Sequence, residues 1–169
     1  RLLGGEGPDA GISIVSRDDG SYTLFGQSIK SFGASTDLFV ASYNAKDEFL
    51  WAQTYGGTHV ESLTRGILTR DGGYFLIRGS RSFFYTGMKV VAPRRADRPI
   101  AIKIDSFGEV EWALTIDHDQ IIFRDVIQMK DGKYLVLAHR FETSDKNWDM
   151  LAMKITGQGR ILGTCKYDL

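Results

Sequence analysis

Three times in this chain an aspartate, a glycine and, two residues after the glycine, a tyrosine introduce a run of strand-forming residues: "DDGSYTLFG" (18–26), "RDGGYFLIRG" (70–79) and "KDGKYLVLA" (130–138). A repeat constrains the fold before any local pattern does, because every copy must form the same unit and bury its faces against its siblings. The spacing holds beyond the turn. Eighteen residues separate Asp19 from Asp37 and Asp131 from Asp149, and fourteen more lead to Trp51 and to Gly163. In the middle copy Asp71 is followed by Arg98 nine residues later than that rule, and Trp112 again follows after fourteen, so an insertion lies within 85–98. The copies run over approximately 4–55, 56–115 and 116–169, and together read as a single repeat domain.

Each copy reads as four short strands. The first are expected at 12–15, 66–69 and 125–129, and the second begin at Tyr22, Tyr74 and Tyr134. The third are expected at 38–43, 100–104 and 150–155, and the fourth at 49–55, 110–116 and 160–167. Val, Ile, Tyr, Phe and Trp at period two suit a pleated, half-buried strand, and no stretch keeps a helical period. The Asp-Gly turns would close tight hairpins, since glycine accepts the positive φ such turns need. Nineteen glycines against three prolines fit a chain of many turns. The expected class is all-β and propeller-like, with three four-stranded antiparallel blades.

The wording also resembles a repeat family of proteins predicted to be secreted or surface-bound in bacteria and archaea. Its pattern is matched here by Asp71-Gly72-Gly73-Tyr74, Ser31-Phe32-Gly33, Asp37, Lys103-Ile104-Asp105 with Gly108, Trp51, Trp112 and Tyr55-Gly56-Gly57. The third copy departs from it, with Thr156 for the aspartate, Gly163 for the tryptophan and no Tyr-Gly-Gly. The resemblance implies a propeller and no specific activity. Propellers have about four to eight blades, so three require completion. Further blades in a parent protein, a second chain closing a six-bladed ring, or a three-fold prism in place of a propeller would each resolve this.

Composition bounds the function. With 169 residues, 43% hydrophobic and 25% charged, the chain has the make-up of a folded domain. Its 21 basic and 21 acidic residues balance, against a dedicated nucleic-acid or anionic-membrane surface. No apolar run is long enough for a membrane-spanning helix. Cys165 is the single cysteine, which leaves no intrachain disulfide and no cysteine-based zinc site. Beginning at Arg1 rather than Met, the chain reads as a processed or excised product.

In such a blade the first-to-second and third-to-fourth turns share one face, and the second-to-third loops share the other with the joints between blades. The second face holds the irregular sequence, where binding residues are expected. Lys89, Arg94, Arg95 and Arg98 make the insertion basic and would suit a carboxylate, phosphate or acidic sugar, or simply a solvated loop. His59 and Glu61 with Asp117, His118 and Asp119 would form an acid–base or metal site if their loops converge, and are otherwise scattered surface groups. Trp148 is the candidate exposed aromatic for a sugar or partner, whereas Trp51 and Trp112, equivalent in the repeat, are expected to pack. Asp19, Asp71 and Asp131 are expected to bond their own turns. No nucleophile elbow, phosphate loop, dinucleotide fingerprint or metalloprotease helix motif occurs, so no catalytic residue, metal or cofactor is assigned. The expected function is a non-catalytic binding or assembly module, secreted or at the cell surface, with a cytoplasmic location left open. Its partners would be another protein or a second copy, with a glycan as candidate ligand. The alternative is a hydrolase of glycans or phosphoesters with its acidic and histidine groups on the same loop face.

Overall fold

Alternation of side chains turns each repeat into one antiparallel meander. The computed structural model describes residues 9–29, 36–56, 61–80, 98–116, 121–142 and 147–167. The first sheet runs in the order β1 (Asp9–Ser16), β2 (Tyr22–Ile29), β3 (Thr36–Tyr43), β4 (Phe49–Tyr55). The second is β5 (Glu61–Leu68), β6 (Tyr74–Ser80), β7 (Arg98–Ile104), β8 (Val110–Thr115). The third is β9 (Ile121–Gln128), β10 (Tyr134–Glu142), β11 (Asn147–Ile155), β12 (Ile161–Tyr167). No helix occurs among the described residues. The fold is all-β, with three four-stranded antiparallel sheets arranged like propeller blades and not closed into a ring.

The first strands are longer than the sequence pattern suggests, starting at Asp9, Glu61 and Ile121 rather than at 12, 66 and 125. The cause is a register shift in each. Pairing slips between Gly11 and Ser13 in β1, between Leu63 and Arg65 in β5, and between Phe123 and Asp125 in β9. A bulge inserts one residue and flips the phase of alternation, so a period-two reading ends where the strand continues.

The six tight turns among the described residues share one geometry. In the first, the Gly20 N–H donates to the Arg17 carbonyl, and the Arg17 N–H donates to the Ser21 carbonyl. The same pair of bonds recurs at 44–48, 69–73, 105–109, 129–133 and 156–160. The fourth residue of each turn has positive φ: Gly20, Gly72, Gly108, Gly132 and Gly159 at 81° to 88°, and Asp47 at 61°. This is a type I turn followed by a left-handed residue, which favours glycine.

The middle sheet is covered on both sides, which explains its nearly continuous apolar strand "YFLI". Tyr74 and Leu76 face the first sheet, where they join Phe25, Leu38, Val40 and Tyr55 in one core. Phe75 and Ile77 face the third, joining Phe123, Val126, Tyr134 and Met153 in another. β5 lies against β1, β2 and β3, and β9 lies against β5, β6 and β7. Among the described residues no strand of the first sheet touches the third, as a three-fold prism would require.

Each junction is locked by a tryptophan over a glycine. Trp51 donates its indole N–H to the Ser106 carbonyl at 3.1 Å and meets Tyr74 edge-on at 6.1 Å. Trp112 repeats this one blade on, donating to the Gly157 carbonyl at 2.8 Å and meeting Tyr134 at 6.3 Å. The rings lie where a β-carbon would stand: one added at Gly108 would be 2.8 Å from Trp51, and one at Gly159 would be 2.7 Å from Trp112. Gly72 has the same positive φ but open space around it. Gly72→Ala should therefore cost only left-handed strain, about 1–2 kcal/mol. Gly108→Ala should cost about 1–3 kcal/mol more, because the tryptophan must move. Urea unfolding of the two variants checks this; equal losses would contradict the lock.

Candidate functional site

The turn face carries a groove between the first and second blades. It has a volume of about 840 Å³ and is lined by Arg17, Asn44, Lys46, Trp51, Asp71 and Phe107, among others. Phe107, at the tip of the β7–β8 turn, is 74% exposed. Most polar groups here are engaged within the fold. The Arg17 guanidinium donates to the Gly72 carbonyl at 2.9 Å and the Tyr74 hydroxyl at 2.5 Å, and sits 5.0 Å from the Tyr74 ring centre. Asn44 accepts from the Lys46 and Glu48 N–H groups and donates to the Glu48 carboxylate.

The repeated aspartates bind their own turns. Asp19 accepts from the Ser21 N–H and hydroxyl, Asp71 from the Gly73 N–H and the Thr69 hydroxyl, and Asp131 from the Lys133 N–H and ammonium. The Ser21 hydroxyl and N–H hold Asp19 below the ordinary carboxyl value of 3.8, and Lys133 does the same for Asp131. At Asp71 burial pushes upward, but Thr69, Gly73 and Lys103 together outweigh it and the carboxyl is also lowered.

Only Asp71 also serves a buried cation. The Lys103 ammonium lies 3.0 Å from Asp71, 3.4 Å from Glu111 and 3.1 Å from the Ile104 carbonyl, with its side chain 1% exposed. Gly73 is required beside it, since a β-carbon there would press on the backbone carbonyl oxygen of Ile104 and lie 2.6 Å from that nitrogen. Tyr134, stacked on Phe75 with ring centres 4.0 Å apart, is pushed up to about 12 by burial and then by the charges of Asp71 and Glu111.

The residues selected from sequence are only partly brought together. His59, Lys89, Arg94, Arg95, Asp117, His118 and Asp119 lie outside the described residues. Glu61 and Arg98 pair with Ser80 from either side, which sets them on flanking strands at the loop-face end of the second sheet. Trp148 pairs with Phe141 in β11 and is 50% exposed, its ring 6.4 Å from His139. Among the described residues no group of three or more His, Cys, Asp or Glu could hold a metal ion.

The two end faces of the stack are open and apolar. On the first blade, Ile14 is 63%, Phe49 46% and Ile12 40% exposed, beside a hollow of about 410 Å³ over Leu24, Gly26 and Phe39. Tyr22 is on this face, stacked on Tyr43 at 5.2 Å. Its counterparts Tyr74 and Tyr134 are covered by the preceding blade. On the third blade, Leu151, Met153 and Ile155 point inward, so Trp148, Met150, Ala152 and Lys154 point outward. Ile127 at 58% and Leu137 at 36% exposure share that outward face, as does the exposed free Cys165, which pairs with Ala152. The groove was not selected from sequence, and the open end faces followed from the count of three blades without their residues being named. A usable signal for those residues existed, because Ile127 and Leu137 occupy the repeat positions of the half-buried Ile67 and the buried Ile77.

Blades stacked through their faces define the class: an all-β protein of propeller-like, unclosed sheets. No family model matches the chain, and no curated protein matches it in sequence. A solved structure does match: a protein of unknown function from Bacteroides caccae, with a TM-score of 0.54 and 14% sequence identity. The match covers 95% of this chain and 47% of that one, so this chain spans about half the length of that structure. At this identity the likeness is one of fold.

Two outcomes follow for the charged groups. Asp71→Ala should cost about 1–3 kcal/mol, more than Asp19→Ala or Asp131→Ala, because it alone takes a partner from a buried ammonium; comparing thermal melts of the three tests it. The lowered carboxyls contribute stability that is full above about pH 4 and is lost as pH falls below 3.8. Tyr134 acts at the other end, its contribution full below pH 10.0 and lost as pH rises toward about 12. Tyr134→Phe should flatten that alkaline loss in melts collected between those values, and an unchanged slope would contradict the assignment.

Proposed function

We propose that the chain is a non-catalytic binding and assembly module that works outside the cytoplasm, at a cell surface or in secreted form. The observation that carries this reading is the pair of open end faces. Ile12, Ile14 and Phe49 at one end, and Ile127, Leu137 and Trp148 at the other, are exposed on faces whose internal equivalents are packed. Apolar clusters of this kind mark association surfaces. The resemblance to surface and secreted repeats supports the location. Trp148, exposed beside His139, is the residue through which a glycan or protein partner would be held on the third blade. The internal pairing of the turn-face polar groups also favours a structural use of them over a catalytic one.

The test is sedimentation velocity over a range of concentrations, combined with binding of an apolar fluorescent dye. The wild-type chain should associate or, where it stays single, bind dye. Ile14→Glu and Ile127→Glu should suppress both responses while shifting Tm by less than about 3 °C, as expected for exposed positions. Variants indistinguishable from wild type in both readouts would sink the reading.

A further inference from the structure

The tryptophan-on-glycine lock gives the stack a direction, and its two ends depart from the lock in matching ways. Each internal junction sets a tryptophan of one blade over the positive-φ glycine in the third-to-fourth turn of the next. The first blade has Asp47 at that glycine position, with φ 61°. Its β-carbon occupies the place where the incoming ring would lie. The third blade has Gly163 at the tryptophan position, and a β-carbon there would meet nothing within 4 Å, so its own blade does not require glycine. One end cannot receive a tryptophan and the other does not offer one.

We propose that these two ends meet, and that the open face of the third blade is covered by the first blade of a second copy of this chain, twice over, in a closed six-bladed ring. This rests on the association reading above and names its partner. Six blades fall within the range over which propellers close, and a two-fold axis through the ring repeats one junction at both seams. Charge supports the pairing. Lys154 is the cross-strand partner of Gly163 and the repeat equivalent of Lys103, and its side chain is exposed on the outward face. In the ring its ammonium lies beside the gap left by Gly163, into which the Asp47 carboxylate projects. Asp47 already accepts a hydrogen bond from Tyr22 at 3.1 Å on the open face of the first blade, which aims it across the seam. Apolar positions also correspond, since Ile127 and Leu137 would cover Ile14 and Leu24 as Ile67 and Ile77 cover the blade after them.

Light scattering and native mass spectrometry of the purified chain test this, with the alkylation rate of Cys165 as a local probe of the seam. The expected result is a species of twice the chain mass, in which Cys165 reacts more slowly as the dimer fills. Lys154→Glu should raise the dissociation constant by about tenfold. Gly163→Trp should weaken the dimer by a similar factor, and adding Asp47→Gly should restore or tighten it by recreating the internal lock. Asp47→Gly suits the local φ, and circular dichroism with melting confirms that each variant is folded. A chain that stays single, with Cys165 reacting at one rate at every concentration, overturns the second-copy seam. Dye binding lost in the Ile14 and Ile127 variants would then leave the association reading standing. Mass that grows without a plateau overturns ring closure. A dimer indifferent to both the charge reversal and the tryptophan exchange overturns the seam between Asp47 and Gly163.

Discussion

An indole ring resting on a glycine in the neighbouring sheet's turn is the contact on which the rest of this structure depends. It needs three things from the chain at once. A tryptophan must stand third in the fourth strand, a positive-φ glycine must stand in the next blade's turn, and a carbonyl in that turn must accept the indole N–H. Trp51 with Gly108 and Ser106 meets these terms, and so does Trp112 with Gly159 and Gly157. Tyr74 and Tyr134 complete each junction from the side. Because one partner is a side chain and the other a cleared space, the contact cannot be reversed. A stack built from it has two different ends.

The same junctions account for the charged groups of the turn face. Closing blade on blade shields Lys103, and its ammonium is held by Asp71, Glu111 and a backbone carbonyl. Arg17 crosses the first junction to the Tyr74 hydroxyl and the Gly72 carbonyl, which ties one Asp-Gly turn to the next. A groove rich in acids, bases and aromatics thus forms as a by-product of stacking, with Arg17, Asp19 and Asp71 committed to holding turns in place. A buried cation tolerates such a setting only when its donors are matched, and the glycine at position 73 makes room for the match.

Much of the fold was legible because it is written in local terms. Turn chemistry, strand alternation and repeat spacing each act over a few residues, and they placed the three meanders and the tight turns correctly. The starts of the first strands were not legible, since the bulges at Gly11, Leu63 and Phe123 reverse the alternation on which the reading depends. The candidate site was less legible still. Selection by variability pointed to loop residues such as His59 and Arg94, of which Trp148 alone has a described side chain, and that side chain lies on a blade face near His139. Arg17, Asn44, Trp51 and Phe107, which line the turn-face groove, come from turns far apart in the chain, and no spacing rule joins them.

The sequence by itself determined the unit: four strands, hairpin turns closed by positive-φ residues, and three copies with a departure at Gly163. That departure reads as erosion of a repeat. Only the tertiary structure decided that positions 163 and 47 correspond to the two halves of one contact type, because the pairing of a tryptophan with a glycine spans 57 residues in one junction (51 to 108) and 47 in the other (112 to 159), and exists only once blades are stacked. It also decided which apolar residues are covered. Ile77 and Leu137 share a repeat position and an apolar character, yet the first is fully buried and the second is 36% exposed. The difference lies in whether another blade stands in front of them, and that is a property of the assembled stack rather than of any local stretch of chain.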